Sequence, residues 1–188
     1  MRRWVWVVLL ICSTGFIGGC SVSSDDGPGV EPEYDRTTPE NLINFFADAY
    51  ERQDLDKYDE SLHDGFLFTF LPDDADSAGL PPDQPWWGKT EDVASARKLF
   101  DNAEVTNISM DLAVVTKWPT EDGFGFRLDP DVKVTVEKAG ATEPLVLWVN
   151  NSWFDVEIVE DPYDTELWVF AFIDESLKEG LLADAGEQ

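Results

Sequence analysis

The apolar pattern of this 188-residue chain turns from mainly helical spacing to a sustained period of two near residue 100, and that change restricts the folds open to it. Before it, apart from one short alternating run, apolar residues recur at intervals of three and four. Thr38-Pro39-Glu40 reads as a helix start: a hydroxyl N-cap, proline at the first position, then an acid in the first turn. Leu42, Ile43, Phe46, Ala49 and Tyr50 then form one apolar helix face. Asp54 caps a second, shorter helix carrying Leu55, Tyr58 and Leu62, which Asp64-Gly65 is expected to end. Phe66, Phe68 and Phe70 alternate with Leu67, Thr69 and Leu71 as in a strand, and the proline-rich segment 72–88 reads as a long loop. Thr90-Glu91-Asp92 opens a third helix, with Val93, Ala96 and Phe100 inward and Arg97 and Lys98 at the negative end of its dipole.

After residue 100 the period is two. Ile108, Met110, Leu112, Val114 and Trp118 alternate with polar residues, and so do Val132, Val134 and Val136. Asp129-Pro130-Asp131 reads as a turn before the second of these strands. One more strand is expected over 145–159 and another over 166–173, joined by Asp161-Pro162-Tyr163-Asp164. Trp168, Phe170 and Phe172 would then share one face of the last strand. The order predicts an α+β domain: three N-terminal helices packed on a curved antiparallel sheet.

The first twenty residues stand apart from that domain. Met1-Arg2-Arg3 is positive, the run from Trp4 to Ile11 is apolar, and Gly18-Gly19 precedes Cys20. This is the layout of a secretory leader, with an apolar run shorter than the ~20 residues a spanning helix needs. Ile17-Gly18-Gly19-Cys20 resembles the lipobox of bacterial lipoproteins. The resemblance implies a diacylglyceryl group on Cys20, cleavage just before it and acylation of the new amino terminus. The expected division is therefore a signal peptide over 1–19, a lipidated cysteine and acidic linker over 20–37, and the folded domain over 38–188. The implied location is the bacterial cell envelope, at the outer membrane or cell surface, with the lipid as membrane anchor. Cys12 would leave with the leader, so the mature domain would hold no thiol for a disulfide or a metal site.

Charge narrows the partners. Lys and Arg number 13 against 39 Asp and Glu, a formal net charge of −26, which repels nucleic acid and anionic lipid. No metal or cofactor is expected. His63 is the only histidine and reads as a helix-terminus residue. The run Asp74-Ala75-Asp76-Ser77-Ala78-Gly79 fails as a calcium loop, having Ala78 and Pro85 where oxygen ligands would stand.

Thr38-Pro39-Glu40, the run from Ala49 to Asp56 and Leu62-His63-Asp64-Gly65-Phe66, in that order, resemble the nuclear transport factor 2-like, or SnoaL-like, superfamily. The resemblance implies a cone-shaped domain over about residues 38 to 175. That superfamily contains isomerases, dehydratases, cyclases and inert accessory domains, so the fold does not carry the activity. In its ketosteroid isomerases a tyrosine on the first helix donates to the oxyanion and an aspartate after the first strand is the base. Aligned on Asp54-Leu55-Asp56, those positions are Phe46 and Phe70, neither of which transfers a proton.

No residue is therefore assigned a catalytic role. The expected pocket is Phe46, Tyr50, Phe70, Trp87, Trp153 and Asp155. The leading reading is a non-catalytic envelope lipoprotein whose cone binds a small apolar ligand or a protein partner, with homodimerisation through the sheet. The alternative is an enzyme working on a small molecule by an isomerase, dehydratase or cyclase type of acid–base step. An isolated buried carboxyl in a hollow cone would favour the enzyme, an all-apolar hollow the binder, and a filled cone a structural domain.

Overall fold

In the computed structural model, which describes residues 34–150 and 152–177, helix α1 (Pro39–Glu51) starts at Thr38. The Thr38 hydroxyl accepts the Asn41 N–H at 3.1 Å, filling one of the unpaired donors of the first turn. The helix ends with Gln53 at φ 56°, where the Asp54 N–H reaches the Ala49 carbonyl and the Gln53 N–H the Tyr50 carbonyl. This left-handed cap turns the chain directly into α2 (Leu55–Glu60), whose N-cap is Asp54. Leu42, Ile43, Phe46 and Ala49 of α1 are buried, and Tyr58 of α2 is buried beside them.

The remaining elements are β1 (Leu62–Thr69), α3 (Pro72–Ser77), β2 (Trp86–Gly88), α4 (Lys89–Phe100), β3 (Val105–Pro119), β4 (Gly123–Val136), β5 (Leu145–Val149), β6 (Ser152–Glu160) and β7 (Trp168–Leu177). They form one sheet in the order β2-β1-β7-β6-β4-β3, with β5 also paired to β4. The architecture is α+β, a curled sheet with helices inside its curve, as the pattern predicts. The sheet is not wholly antiparallel, because β1 and β7 pair in parallel.

Several local expectations are corrected. Asp64-Gly65 does not stop α2; it lies within β1, and so does His63. Leu62 pairs with Phe170 and Leu67 with Phe172, so the intervening β1 residues bulge out. The segment 72–88 is not all loop: proline at the first position of α3 permits a six-residue helix, and β2 pairs with β1. Thr90 does not cap α4, whose N-cap is Gly88 without a side-chain bond. In β7 Phe170 and Phe172 do not share a face, because the register shifts by one residue opposite Glu157 and Ile158. Phe170 and Ile173 consequently both join the core.

The largest correction is at Asp129-Pro130-Asp131, which lies in the middle of β4. Leu128 pairs with Phe154 of β6 and Val132 with Val149 of β5, so four steps on β4 face five on the other side. The expected strand 145–159 is thereby divided in two. Pro130 is fully buried at this break, opposite Leu112 of β3 and between the last β6 pair and the first β5 pair of β4.

The core fills one half of the curve: Phe126, Leu128, Val156, Ile158 and Phe170 of the sheet meet Leu42, Ile43 and Phe46 of α1. Contacts also begin before Thr38, contrary to the expected linker boundary. Arg36 pairs with Asp161 at 2.9 Å, both side chains nearly buried, and its carbonyl accepts the Trp168 N–H. Cys20, the leader over 1–19, the linker residues up to 33 and the chain after Leu177 lie outside the described residues.

Candidate functional site

In the other half of the curve a smaller core cluster of Leu99, Val105, Ile108, Val134 and Val136 leaves a hollow beside it. Helix α4 leans over the sheet so that Asp92, Ala96 and Leu99, on successive turns, face inward. Between them, α1, α2 and the sheet lies a cavity of about 170 Å³. Phe46 and Tyr50 of α1, Tyr58 of α2, Phe68 of β1, Phe70 just after it, and Trp87 of β2 line it. From the long strands come Met110, Val132, Val134, Val149, Phe154, Ile173 and Glu175.

Rings divide the wall into two groups. At the deep end Tyr58 lies 5.2 Å from Phe46 and 5.5 Å from Tyr50, which in turn lies 5.1 Å from Phe100. At the outer end Phe70 lies 4.7 Å from Phe68 and 4.8 Å from Trp87, and Phe68 meets Phe154 at 6.1 Å. Phe46, Tyr58, Asp92 and Ala96 are buried, whereas Phe68, Trp87, Phe154 and Val149 are half-buried. The cavity therefore opens between β1, β2, β6 and the end of β5.

The deep end holds the chemistry. Asp92 is only 8% exposed, and the Tyr58 hydroxyl donates to its Oδ2 at 2.6 Å. Burial raises the Asp92 carboxyl to about 6, against the opposing pull of the Tyr58 hydrogen bond. Burial, then the Asp92 charge, raise the phenol of Tyr58 well above its usual range, and Tyr50 is raised for the same two reasons. Both phenols stay protonated at neutral pH, and that of Tyr58 donates to Asp92. Glu175, buried on β7, brings a second carboxyl to the outer wall. Among the described residues no lysine, arginine or histidine lines the cavity.

Of the six pocket residues expected from sequence, the structure brings Phe46, Tyr50, Phe70 and Trp87 to this wall. Trp153 and Asp155 are not on it. Ser152, Phe154, Val156 and Ile158 of β6 point inward, so the alternate residues point out. Arg127 holds Asp155 on the outer face by two bonds of 2.7 and 2.6 Å, and Asp155 raises Asp174 there after burial does. The isomerase-like positions Phe46 and Phe70 do face the hollow, as rings without proton-transfer groups.

Tyr58, Asp92 and Glu175 were missed. Asp92 reads as a first-turn acid on a helix, and Tyr58 as an apolar face residue. The available signal was periodicity, since Asp92 precedes Ala96 by one turn and shares its inward face. His63 is half-buried in β1, where its Nδ1 accepts the Gly65 N–H at 2.9 Å, away from the cavity. Among the described residues no group of three or more metal-ligating side chains comes together. No described helix is long and apolar enough to cross a membrane.

No protein-family model matches the chain, and no curated protein sequence does. Solved structures do. A Kribbella flavida protein has a TM-score of 0.54 at 11% identity, over 77% of this chain and 93% of that one. A Streptomyces protein has a TM-score of 0.53 at 15% identity, over 79% and 97%. A candidate scytalone dehydratase from Novosphingobium aromaticivorans has a TM-score of 0.52 at 8% identity, over 74% and 80%. At these identities the likeness is one of fold, and the fold is the nuclear transport factor 2-like cone.

Proposed function

We propose that the cone admits a small, largely apolar molecule with a carbonyl or hydroxyl group and moves a proton on it, with Asp92 as the acid–base group. One observation carries this reading: the buried carboxyl of Asp92, held by the Tyr58 hydroxyl and raised by burial to about 6, stands at the floor of an apolar hollow that opens to solvent. A base poised near the working pH combines a useful charged fraction with driving force for transfer. Asp92 would take a proton from carbon beside a carbonyl or return one to a leaving hydroxyl. Tyr58 fixes the carboxylate's orientation, and Tyr50 is the phenol available to a substrate oxygen. The apolar walls keep bulk water from the developing charge.

The test is turnover of small cyclic β-hydroxy ketones, followed by the ultraviolet absorbance of the conjugated enone that dehydration produces. Turnover by the wild type, falling about 10²–10⁴-fold in Asp92→Asn, is the expected result for loss of a general acid–base group. Turnover that survives the substitution would remove Asp92 from the chemistry.

A second reading, ligand binding without turnover, draws on Phe46 and Phe70 occupying the donor and base positions of the isomerases. A ligand that binds wild type and Asp92→Asn alike and emerges unchanged would favour it. On either reading we infer that Cys20 is lipidated and holds the domain at the cell envelope, from the lipobox-like sequence before it. Cys20→Ala should accumulate as an uncleaved precursor or leave the membrane fraction; a processed, membrane-bound variant would refute the anchor.

A further inference from the structure

A serine within a helix, or at its end, commonly bonds back to a carbonyl of that helix. The Ser61 hydroxyl donates to the Tyr58 carbonyl at 2.6 Å, and the Ser77 hydroxyl to the Asp73 carbonyl at 2.9 Å. Ser95 of α4 does not: its hydroxyl has no hydrogen-bond partner among the described residues. Ser95 is half-buried on the cavity wall and follows Asp92 by three residues. Residues so spaced are neighbours on a helix face, with Cβ atoms ~5–6 Å apart. Asp92 accepts the Tyr58 hydroxyl on Oδ2, and its Oδ1 has no partner among the described residues. The wall formed by α4 therefore presents an uncommitted carboxyl oxygen and an uncommitted hydroxyl side by side. One helix fixes their separation, whereas Tyr50 reaches the same space from another.

Removal of a proton from carbon beside a carbonyl uses such a pair. The base must come within ~3–3.5 Å of the atom it attacks, and a donor must meet the oxygen that gains charge at ~3 Å. Only the carbonyl carbon separates the α-carbon from that oxygen, so base and donor have to be neighbours. Resting on the acid–base reading of Asp92, we propose that Ser95 is the donor that binds the substrate's carbonyl oxygen, which makes the substrate class a small ketone or aldehyde with hydrogen on the adjacent carbon. Asp92 takes the α-proton onto Oδ1. The C–H electron pair becomes a carbon–carbon π bond, and the carbonyl π pair moves onto the oxygen that the Ser95 hydroxyl holds. In return the carboxyl gives a proton back to the α-carbon and the carbonyl re-forms. Where the substrate carries a β-hydroxyl, the carboxyl protonates that group instead, which leaves as water while the carbonyl re-forms beside a new double bond.

The test is deuterium exchange at the α-carbons of cyclohexanone in neutral D2O, followed by NMR with the full chain in detergent. The probe has one ring, and an apolar cavity of ~150 Å³ accommodates benzene, against about 170 Å³ here. The wild type should catalyse exchange and Asp92→Asn should not. Ser95→Ala should lower kcat for exchange by about 10²–10³-fold, the usual loss for one oxyanion donor. Its KM should change less than about tenfold and its Tm should hold, since alanine is a good helix former. Exchange that stops in Asp92→Asn but runs at the wild-type rate in Ser95→Ala would overturn the role of Ser95 and leave Asp92 as the base. A raised KM with unchanged kcat would also overturn it, because Ser95 would then hold ketone and enolate equally. A Tm that falls together with the rate would make Ser95 a structural residue and overturn the proposal as well. Exchange that persists in Asp92→Asn, or is absent from the wild type, would overturn the acid–base reading and this proposal with it.

Discussion

The two halves of β4 obey the same alternation and meet opposite fates. Phe126 and Leu128, below the buried Pro130, lie against α1 in a filled core. Val132 and Val134, above it, face the cavity. The inward positions are bulky in one half and β-branched but short in the other. The neighbouring strand also changes, from β6 to β5, at Pro130. A single strand thus builds both the part of the cone that holds the fold together and the part left hollow.

Truncation should separate the halves most sharply. Phe126→Ala, which empties a fully buried site, is expected to cost about 3–5 kcal/mol by urea unfolding, because core aromatics combine lost burial with a new cavity. Val134→Ala should cost less than half of that; equal losses would mean that the upper half is packed as tightly as the lower.

The floor of the hollow comes next. Asp92 has a folded pKa of about 6, above its ordinary value of 3.8, so the folded state binds the proton more strongly than the unfolded one. Its contribution is fully present below pH 4 and is lost as pH rises from about 4 to 6, by roughly 2–3 kcal/mol. Asp92→Asn cannot ionise. The variant should therefore gain on the wild type across that window and stay ahead at pH 8, while the two differ least near pH 4. A stability difference that does not vary between pH 4 and 8 would show that Asp92 titrates normally and is not desolvated. Tyr58→Phe should act in the opposite sense at pH 8, removing a hydrogen bond to a charged group at a cost of about 1–3 kcal/mol.

Overfilling gives the smallest effect and the clearest contrast. Leu128→Phe adds volume to a packed site and should cost about 1–3 kcal/mol. Val132→Phe adds it to the hollow and should change stability by less than about 1 kcal/mol, while abolishing binding of any probe the wild type accepts. A destabilised Val132→Phe comparable to Leu128→Phe would mean that the hollow closes in solution.

Most of the elements were legible where one physical signal dominated. The cap at Thr38, the capped step at Asp54 and the alternating valines of β4 are local statements, and local chemistry enforces them. Legibility failed where a residue's role depends on a partner far along the chain. Pro130 looks like a turn until the strands on one side of β4 are seen to change beside it. Asp64-Gly65 looks like a helix stop until β7 supplies the partner that makes it a bulge. Trp153 and Asp155 were misplaced because a one-residue shift sends every side chain of a strand to the other face, and no feature within β6 declares its register.

The sequence by itself determined the α+β class, the order of the main helices and strands, and the acidic charge. These follow from periodicity and composition, which a chain carries whether folded or not. Only the tertiary structure decided that the cone is hollow, that Asp92 is a buried acid rather than a helix-end charge, and that Tyr58 binds it across 34 residues. Burial and pKa arise from the groups surrounding a side chain, and those groups are brought together by the fold rather than by the residues beside it in sequence.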